Sequence, residues 1–217
     1  MPSASSAQIR KYEPGDRQAV RNIFFDTAFL GEPADAFFSD KEIICDALTA
    51  YYTDYEPESC FVAVADSKVV GCLTGAKDKI RAEEITSAKI FPLLFSKALL
   101  RGVFFKTKNL VFILNIFSSL IKGEFKMPVS LRAFPAILHI NISKAYRSLD
   151  IGSNLMAAYF SYLKEEQVPG VCLATMSKGA SEFFAKAGFR LAYSGKRSYF
   201  RYLIQKDLPI NIYVKSL

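Results

Sequence analysis

Histidine is nearly absent from the chain, which holds one, His139, and the four cysteines, Cys45, Cys60, Cys72 and Cys172, never fall into a C-x-x-C pair. A His-rich or clustered-thiolate zinc site is therefore not expected, and no metal is assigned. The same scatter does not form a disulfide framework. The opening residues, MPSASSAQIRKYEPGD, have no apolar stretch behind a basic start and do not read as a secretory signal, so the expected setting is the reduced cytoplasm. No apolar run reaches the roughly 20 residues needed to span a bilayer. Internal repeats and low-complexity tracts are also missing.

Hydrophobic residues make up 51% of the 217, charged residues 23%, and there are 19 Phe and 11 Tyr, far from the composition of disordered chains. One domain over residues 1–217 is expected, with residues 1–7 as a flexible tail. The net charge of +7 is concentrated. Between residues 85 and 127 stand Lys89, Lys97, Arg101, Lys106, Lys108, Lys122 and Lys126 against a single acid, Glu124, so the rest of the chain is close to neutral.

Apolar spacing predicts a strand over 8–13, then a helix carrying Val20, Ile23, Phe24 and Ala28. A second helix is predicted near 40–53, where Ser39 and Glu42 have capping-box spacing. The period then falls to two, and residues 60–65 and 69–73 around Asp66-Ser67-Lys68 read as a hairpin. The basic segment is also the most apolar and predicts two helices. Three readings stay open for it: apolar faces buried on the domain or across a homodimer, an interfacial membrane helix, or a lid over an acceptor pocket. Alternation resumes with a strand at 136–142, a helix from about Asp150 to Glu166, a strand at 171–175, a helix over 178–186, and strands near 189–194 and 198–205. The fold class expected is α/β, a mixed sheet with helices on both faces.

Along the strand at 138–143, Leu138, Ile140 and Ile142 point one way and His139, Asn141 and Ser143 the other. In a central strand the polar face must find internal partners or line a cleft, and the residues alone leave both readings open. The loop that follows contains Arg147 and leads through Gly152 into a helix whose free amides would suit an anionic phosphate, although this feature alone favours an ordinary helix capped by Asp150.

The run LHINISKAYRSLDIGSNLM resembles the acetyl-CoA-binding motif of the GCN5-related N-acetyltransferase superfamily, and ASEFFAKAGF at 180–189 is similar to the family's later helix with its terminal Gly-Phe. The resemblance covers most of the chain and leaves about 80–130 as a helical insertion. It implies a mostly antiparallel mixed sheet and an N-acetyltransferase that uses acetyl-CoA as co-substrate. It further implies that Ile140, Asn141 and Ile142 engage the pantetheine arm, and that Arg147, Ser148, Leu149, Asp150, Ile151, Gly152 and Ser153 hold the pyrophosphate. Ser177 and Phe184 fall at two further positions of the cofactor site. An amine would attack the thioester directly.

The chain departs from the family pattern at four of these positions. Ser148 and Asp150 stand where glycines are usual, and a carboxylate about 5 Å from a phosphate costs roughly 3 kcal/mol at an effective dielectric of about 20. Ser177 replaces an asparagine, and Phe184 replaces a tyrosine that protonates the leaving thiolate. Tyr193, Tyr199 and Tyr146 are candidate substitutes for that acid; His139 ranks first as base, ahead of Glu32 and Asp35. The expected acceptor is a small-molecule or protein amine. A catalytically weak or inactive CoA-binding module is the alternative, with the insertion serving as a partner or membrane-surface docking element through residues 85–127. Nucleic-acid binding is not expected, because aliphatic runs interrupt the basic residues.

Overall fold

The computed structural model describes residues 7–126, 131–147 and 150–217. Seven strands, β1 (Gln8–Lys11), β2 (Cys60–Ala65), β3 (Lys68–Ala76), β4 (Ala136–Ile142), β5 (Gly170–Thr175), β6 (Arg190–Arg197) and β7 (Leu208–Ser216), form one sheet in the order β1-β2-β3-β4-β5-β7-β6. Every neighbouring pair is antiparallel except β4–β5. The β2–β3 turn is made by Asp66 and Ser67, whose φ of 49° and 59° give the double left-handed geometry that follows strand twist. β2 reads as a continuous apolar run because both of its faces are covered. Phe61, Ala63 and Ala65 meet one core cluster, Cys60 and Val62 another.

Helices α1 (Arg17–Thr27) and α2 (Lys41–Asp54) cover one face of the sheet. On the other lie α6 (Ile151–Glu165) and α7 (Lys178–Lys186), preceded in the chain by α3 (Lys79–Ile85), α4 (Phe91–Leu100) and α5 (Thr107–Ile121). The apolar stripe of α1, Val20, Ile23 and Phe24, packs with Val62 and Cys72. Arg21, only 2% exposed, reaches from α1 to Glu42 at 2.7 Å and to Asp46, both on α2. The cap of α2 is Asp40, not the expected Ser39. Asp40 accepts from Ile43 N at 3.2 Å, while the backbone N–H and hydroxyl of Ser39 both bond Asn109 Oδ1, at 2.8 and 3.0 Å.

The basic segment holds the two expected helices, α4 and α5, and α3 precedes them. Phe91 N–H bonds Thr86 O, one residue farther back than in an α-helix, just ahead of Pro92, which has no N–H to offer and whose ring crowds the carbonyl four residues earlier. Its inner side packs into the domain: Ile90, Leu94, Ala98 and Val103 share a core with Phe37, Phe38, Ala76 and Phe200. Lys97 to Asp46 (2.6 Å) and Arg101 to Asp40 (2.8 Å) tie α4 and its end to α2.

The strand expected at 198–205 is not formed. Ser198 gives its N–H and hydroxyl to Glu124, both at 2.7 Å, Tyr199 lies edge-on to Phe112 while Phe200 stacks on it, and Arg201–Ile204 is a short helix, α8. The strand that completes the sheet, β7, comes later and inserts between β5 and β6.

Where β4 and β5 begin, the chain passes so close that a Cβ on Gly170 would stand 2.8 Å from Ala133 O, 2.7 Å from the Phe134 ring and 3.0 Å from Lys215 O. Two of these neighbours are backbone and have little room to yield. Gly170→Ala is expected to destabilise the fold by about 2 kcal/mol, lowering Tm by about 4–8 °C in a thermal melt, whereas Gly179→Ala, which meets nothing within 4 Å, leaves Tm unchanged.

Candidate active site

β4 and β5 share only two register pairs, Ala136 with Val171 and Ile137 with Cys172. β4 runs on beside β3 as far as Ile142, and β5 beside β7 as far as Thr175. Past Cys172 the two strands have no mutual partners among the described residues. The base of the fork is held by Tyr159 of α6, whose hydroxyl donates to Ile137 O at 2.9 Å and also lies 3.2 Å from Ala76 O. Gly75 leaves the space for that ring, since a Cβ there would fall 2.4 Å from it. A cleft of about 790 Å³ opens in the fork, bounded by β4 and the start of α6 on one side, β5 and the start of α7 on the other, and α1 with its following turn above.

The alternation along β4 aims its side chains at different layers. Leu138, Ile140 and Ile142 join the core under α6 and α7. His139 lies edge-on to Tyr52 of α2, with ring centroids 5.3 Å apart. Asn141 meets Thr27 of α1, whose Oγ1 is 2.9 Å from its Oδ1 and 2.6 Å from Ile23 O. One hydroxyl proton serves one acceptor; with it on Ile23 O, the Asn141 amide nitrogen turns to donate to Thr27.

At the mouth, Asp150 sits before α6 with φ +57°, and its exposed side chain makes no capping bond, so the expectation of an Asp150-capped helix is corrected. The strained left-handed backbone carries the carboxylate away from the first-turn amides, leaving those of Ile151, Gly152 and Ser153 without a side-chain acceptor among the described residues. Ser148 and Leu149 lie outside the described residues. The neighbour that demands a glycine at 152 is Phe183, whose Cζ would come 2.9 Å from a Cβ there. Arg147 donates from Nε to Ile142 O (3.2 Å) and from Nη2 to Gly31 O (2.9 Å), while Lys144 pairs with Glu32 (2.9 Å). The loop before α6 is thereby stitched to the tight turn Phe29–Glu32 after α1, in which Leu30 and Gly31 have φ of 55° and 95°.

Ile140, Asn141, Ile142, Arg147, Asp150, Ile151, Gly152, Ser153, Ser177 and Phe184 all line the cleft, as does His139. Ser177 caps α7 by accepting from Ala180 N, and Phe184 is buried against Phe189 and Tyr213. Tyr193, on β6, is not in the lining, and neither is Tyr199, which is not on a strand and whose hydroxyl meets Met176 Sδ at 3.4 Å. Thr27, the Leu30–Gly31 turn, Met176 and Phe183 contribute to the walls although the sequence reading passed over them. Of these, Phe183 carried a signal in its helical spacing from Ala180. No tyrosine or cysteine lines the cleft among the described residues. Burial holds the thiols of Cys45 and Cys172 up at about 11 and Cys60 at about 12. Among the described residues no cluster of His, Cys, Asp or Glu could hold a metal ion.

Burial pushes the His139 imidazole down to about 4 from an ordinary 6.5, so the ring is neutral at pH 7. The unfolded chain takes up this proton below about 6.5 and the folded chain does not until about 4, so the contribution to stability is full above 6.5 and is lost as pH falls through that window. Because the ring borders an open cleft, the loss between pH 7.5 and pH 5 is put at about 1–2 kcal/mol. Urea unfolding at the two pH values should show this drop in the wild type, over and above that in His139→Gln; equal drops would contradict a buried neutral ring.

No protein-family model and no curated protein sequence matches the chain. Among solved structures, the protein named SsHAT superposes with a TM-score of 0.73 at 26% identity, covering 97% of this chain and 98% of that one. Drosophila melanogaster polyamine N-acetyltransferase, which forms N-acetylagmatine, aligns over 98% of this chain and 100% of its own at a TM-score of 0.60 and 14% identity. The ribosomal-protein-alanine N-acetyltransferase of Brucella melitensis aligns over 97% and 99% at 0.56 and 17%. The latter two share the fold alone. The chain thus has the fold of these structures, two of which are N-acetyltransferases, in keeping with the resemblance of its sequence to the GCN5-related N-acetyltransferase superfamily.

Proposed function

We propose that the chain is an acyl-CoA-dependent N-acyltransferase that moves an acetyl group from acetyl-CoA to an amine by direct attack in a ternary complex. The observation that carries this reading is the fork between β4 and β5, which leaves a strand edge in mid-sheet without its ladder partner. Such an edge bonds an extended, amide-bearing chain as it would bond a strand, and the pantetheine arm is such a chain. The backbone of Ile140, Asn141 and Ile142 supplies that edge. The amides of Ile151, Gly152 and Ser153, without a side-chain acceptor among the described residues, supply with Arg147 the donors for a pyrophosphate at the start of α6.

The acceptor enters on the side of α1 and α2, where Phe24, Leu30 and Leu48 line the cleft with Thr27 and His139 and contribute no carboxylate. This wall suits an amine with an apolar body better than a polycation. In the reaction the amine nitrogen forms a bond to the thioester carbon, the carbon–sulfur bond breaks, and the sulfur leaves with the electron pair. His139, neutral at pH 7 with a conjugate acid near 4, is a weak base, so it takes up a proton only from a strongly acidified nitrogen and otherwise orients the acceptor. Phe184 has no proton to give the departing thiolate, and Tyr199 touches the cleft only through Met176. With a thiol pKa of about 8.5 as for cysteine, the sulfur can leave as the thiolate, and the proton shed by the nitrogen once its bond to carbon has formed passes through His139 or directly to solvent in the open cleft.

The same lack of an acid in the lining favours a second reading, a CoA-binding module with little or no turnover. Calorimetry with acetyl-CoA followed by thiol release over a panel of amines separates the two: heat with release supports the transferase, heat without release the module, and no heat sinks both. Arg147→Ala is expected to weaken acetyl-CoA binding about tenfold. Asp150→Gly, which relieves a left-handed backbone and removes a carboxylate beside the helix start, should tighten the measured Kd about tenfold; an unchanged Kd would mean that no phosphate lies near it.

A further inference from the structure

Helix α5 is turned inside out relative to an ordinary surface helix. Asn109 and Ser119 are fully buried, while Leu114, Phe117 and Ile121, spaced three and four residues apart, are 58%, 62% and 78% exposed. The outer arc of α4 is Phe91, Leu93, Phe95, Leu99 and Leu100, broken only by Pro92 and Ser96, and carries no charge. Phe105, between the two helices, is 88% exposed. Of the seventeen large apolar side chains exposed among the described residues, thirteen lie between Ile80 and Phe125, a concentration in one segment that ordinary scatter does not give.

The cations stand at the helix ends around that patch. Lys106 and Lys108 flank the start of α5, Lys122 and Lys126 follow its end, and Lys89 and Arg101 bracket α4. Lys97 and Arg101 are neutralised by Asp46 and Asp40 of α2. Lys122 is turned in to Ser198 Oγ at 3.2 Å, while for Lys89, Lys106 and Lys126 no acidic partner at ion-pair distance is found among the described residues. Glu124, the segment's single acid, is turned inward onto Ser198.

We infer that the outer face of α4 and α5 is a docking surface for an anionic lipid membrane, lying in the headgroup region with its apolar side chains inserted and the flanking lysines on lipid phosphates and carboxylates. A second copy of the chain would set one surplus of lysines against another, which disfavours an isologous dimer through this face. An anionic bilayer complements both features at once, an apolar interior and a negative surface. The orientation is in the plane: α5 has 15 residues, about 22 Å at 1.5 Å each, and no described helix is long and apolar enough to cross. The long lysine stems can lie along the apolar margin while their ammonium groups stay with the headgroups.

Co-sedimentation of the full chain with vesicles tests this. Binding to vesicles of phosphatidylcholine with about 30% phosphatidylserine should exceed binding to pure phosphatidylcholine at least about tenfold and should fall away in about 0.5 M salt. The double variants Leu100→Ser/Phe105→Ser and Lys89→Glu/Lys106→Glu alter exposed positions and should each reduce partitioning about tenfold or more, with circular dichroism and Tm unchanged. Wild-type protein that prefers neither vesicle, or variants that bind as the wild type does, would overturn the inference. So would a stable dimer in sedimentation velocity that Leu100→Ser/Phe105→Ser dissociates, because the face would then belong to a second copy.

Discussion

Two register pairs hold β4 to β5, and the molecule is arranged around where that pairing stops. Gly170 lets the backbones approach at the base, and Tyr159 locks Ile137 from the layer below, so the strands diverge from a fixed point. A sheet interior ordinarily leaves no main-chain group unpaired, because each buried donor or acceptor without a partner is costly. Here the ladder ends in the middle of the sheet, and the groups freed there face a cavity instead of bulk water. The same divergence places the start of α6 at the mouth of that cavity and brings His139 and Asn141 beneath α1 and α2.

The second organising constraint is the distribution of charge. Arg21, almost without solvent contact, spends its charge on Glu42 and Asp46, and Asp46 also takes Lys97 from the insertion. Removing Arg21, the one member without solvent contact, would leave Asp46 and Glu42 without the charge that joins α1 to α2, and Lys97 extends the same set to α4. The insertion is accordingly an integral wall of the domain. Its inner residues share a core with Phe37, Phe38 and Phe200, while its outer residues find no partner within the described chain.

Much of this was legible in the sequence. β4 was bounded at Ala136 and Ile142 because strict alternation between two breaks leaves little freedom, and the β2–β3 hairpin was marked by its turn chemistry. The errors fall where a distant residue outcompetes a local signal. Ser39 has the spacing of a cap, yet Asn109, seventy residues on, claims its N–H and hydroxyl and the role passes to Asp40. Residues 198–205 look extended, yet Glu124 takes Ser198 and the aromatic cluster takes Phe200. Asp150 reads as a helix cap by residue type, but its left-handed φ turns the carboxylate outward, a backbone property that composition does not carry. Within the cleft, the residues on β4 and at the start of α6 were found because they are contiguous, whereas Thr27, Gly31 and Phe183 arrive from separate parts of the chain and only the fold brings them in.

The bond from Arg147 to Gly31 O has a thermodynamic corollary. A guanidinium that already donates to two neutral carbonyls must give one up to embrace an incoming anion, and the carbonyl on the Phe29–Glu32 turn is the more weakly anchored of the two, since Ile142 is fixed in the sheet. Whatever steadies that turn against Arg147 therefore weakens its hold on an anion, and by linkage an anion at Arg147 loosens the turn by the same factor. The two walls of the cleft are reciprocal: occupancy on one side is felt as mobility on the other.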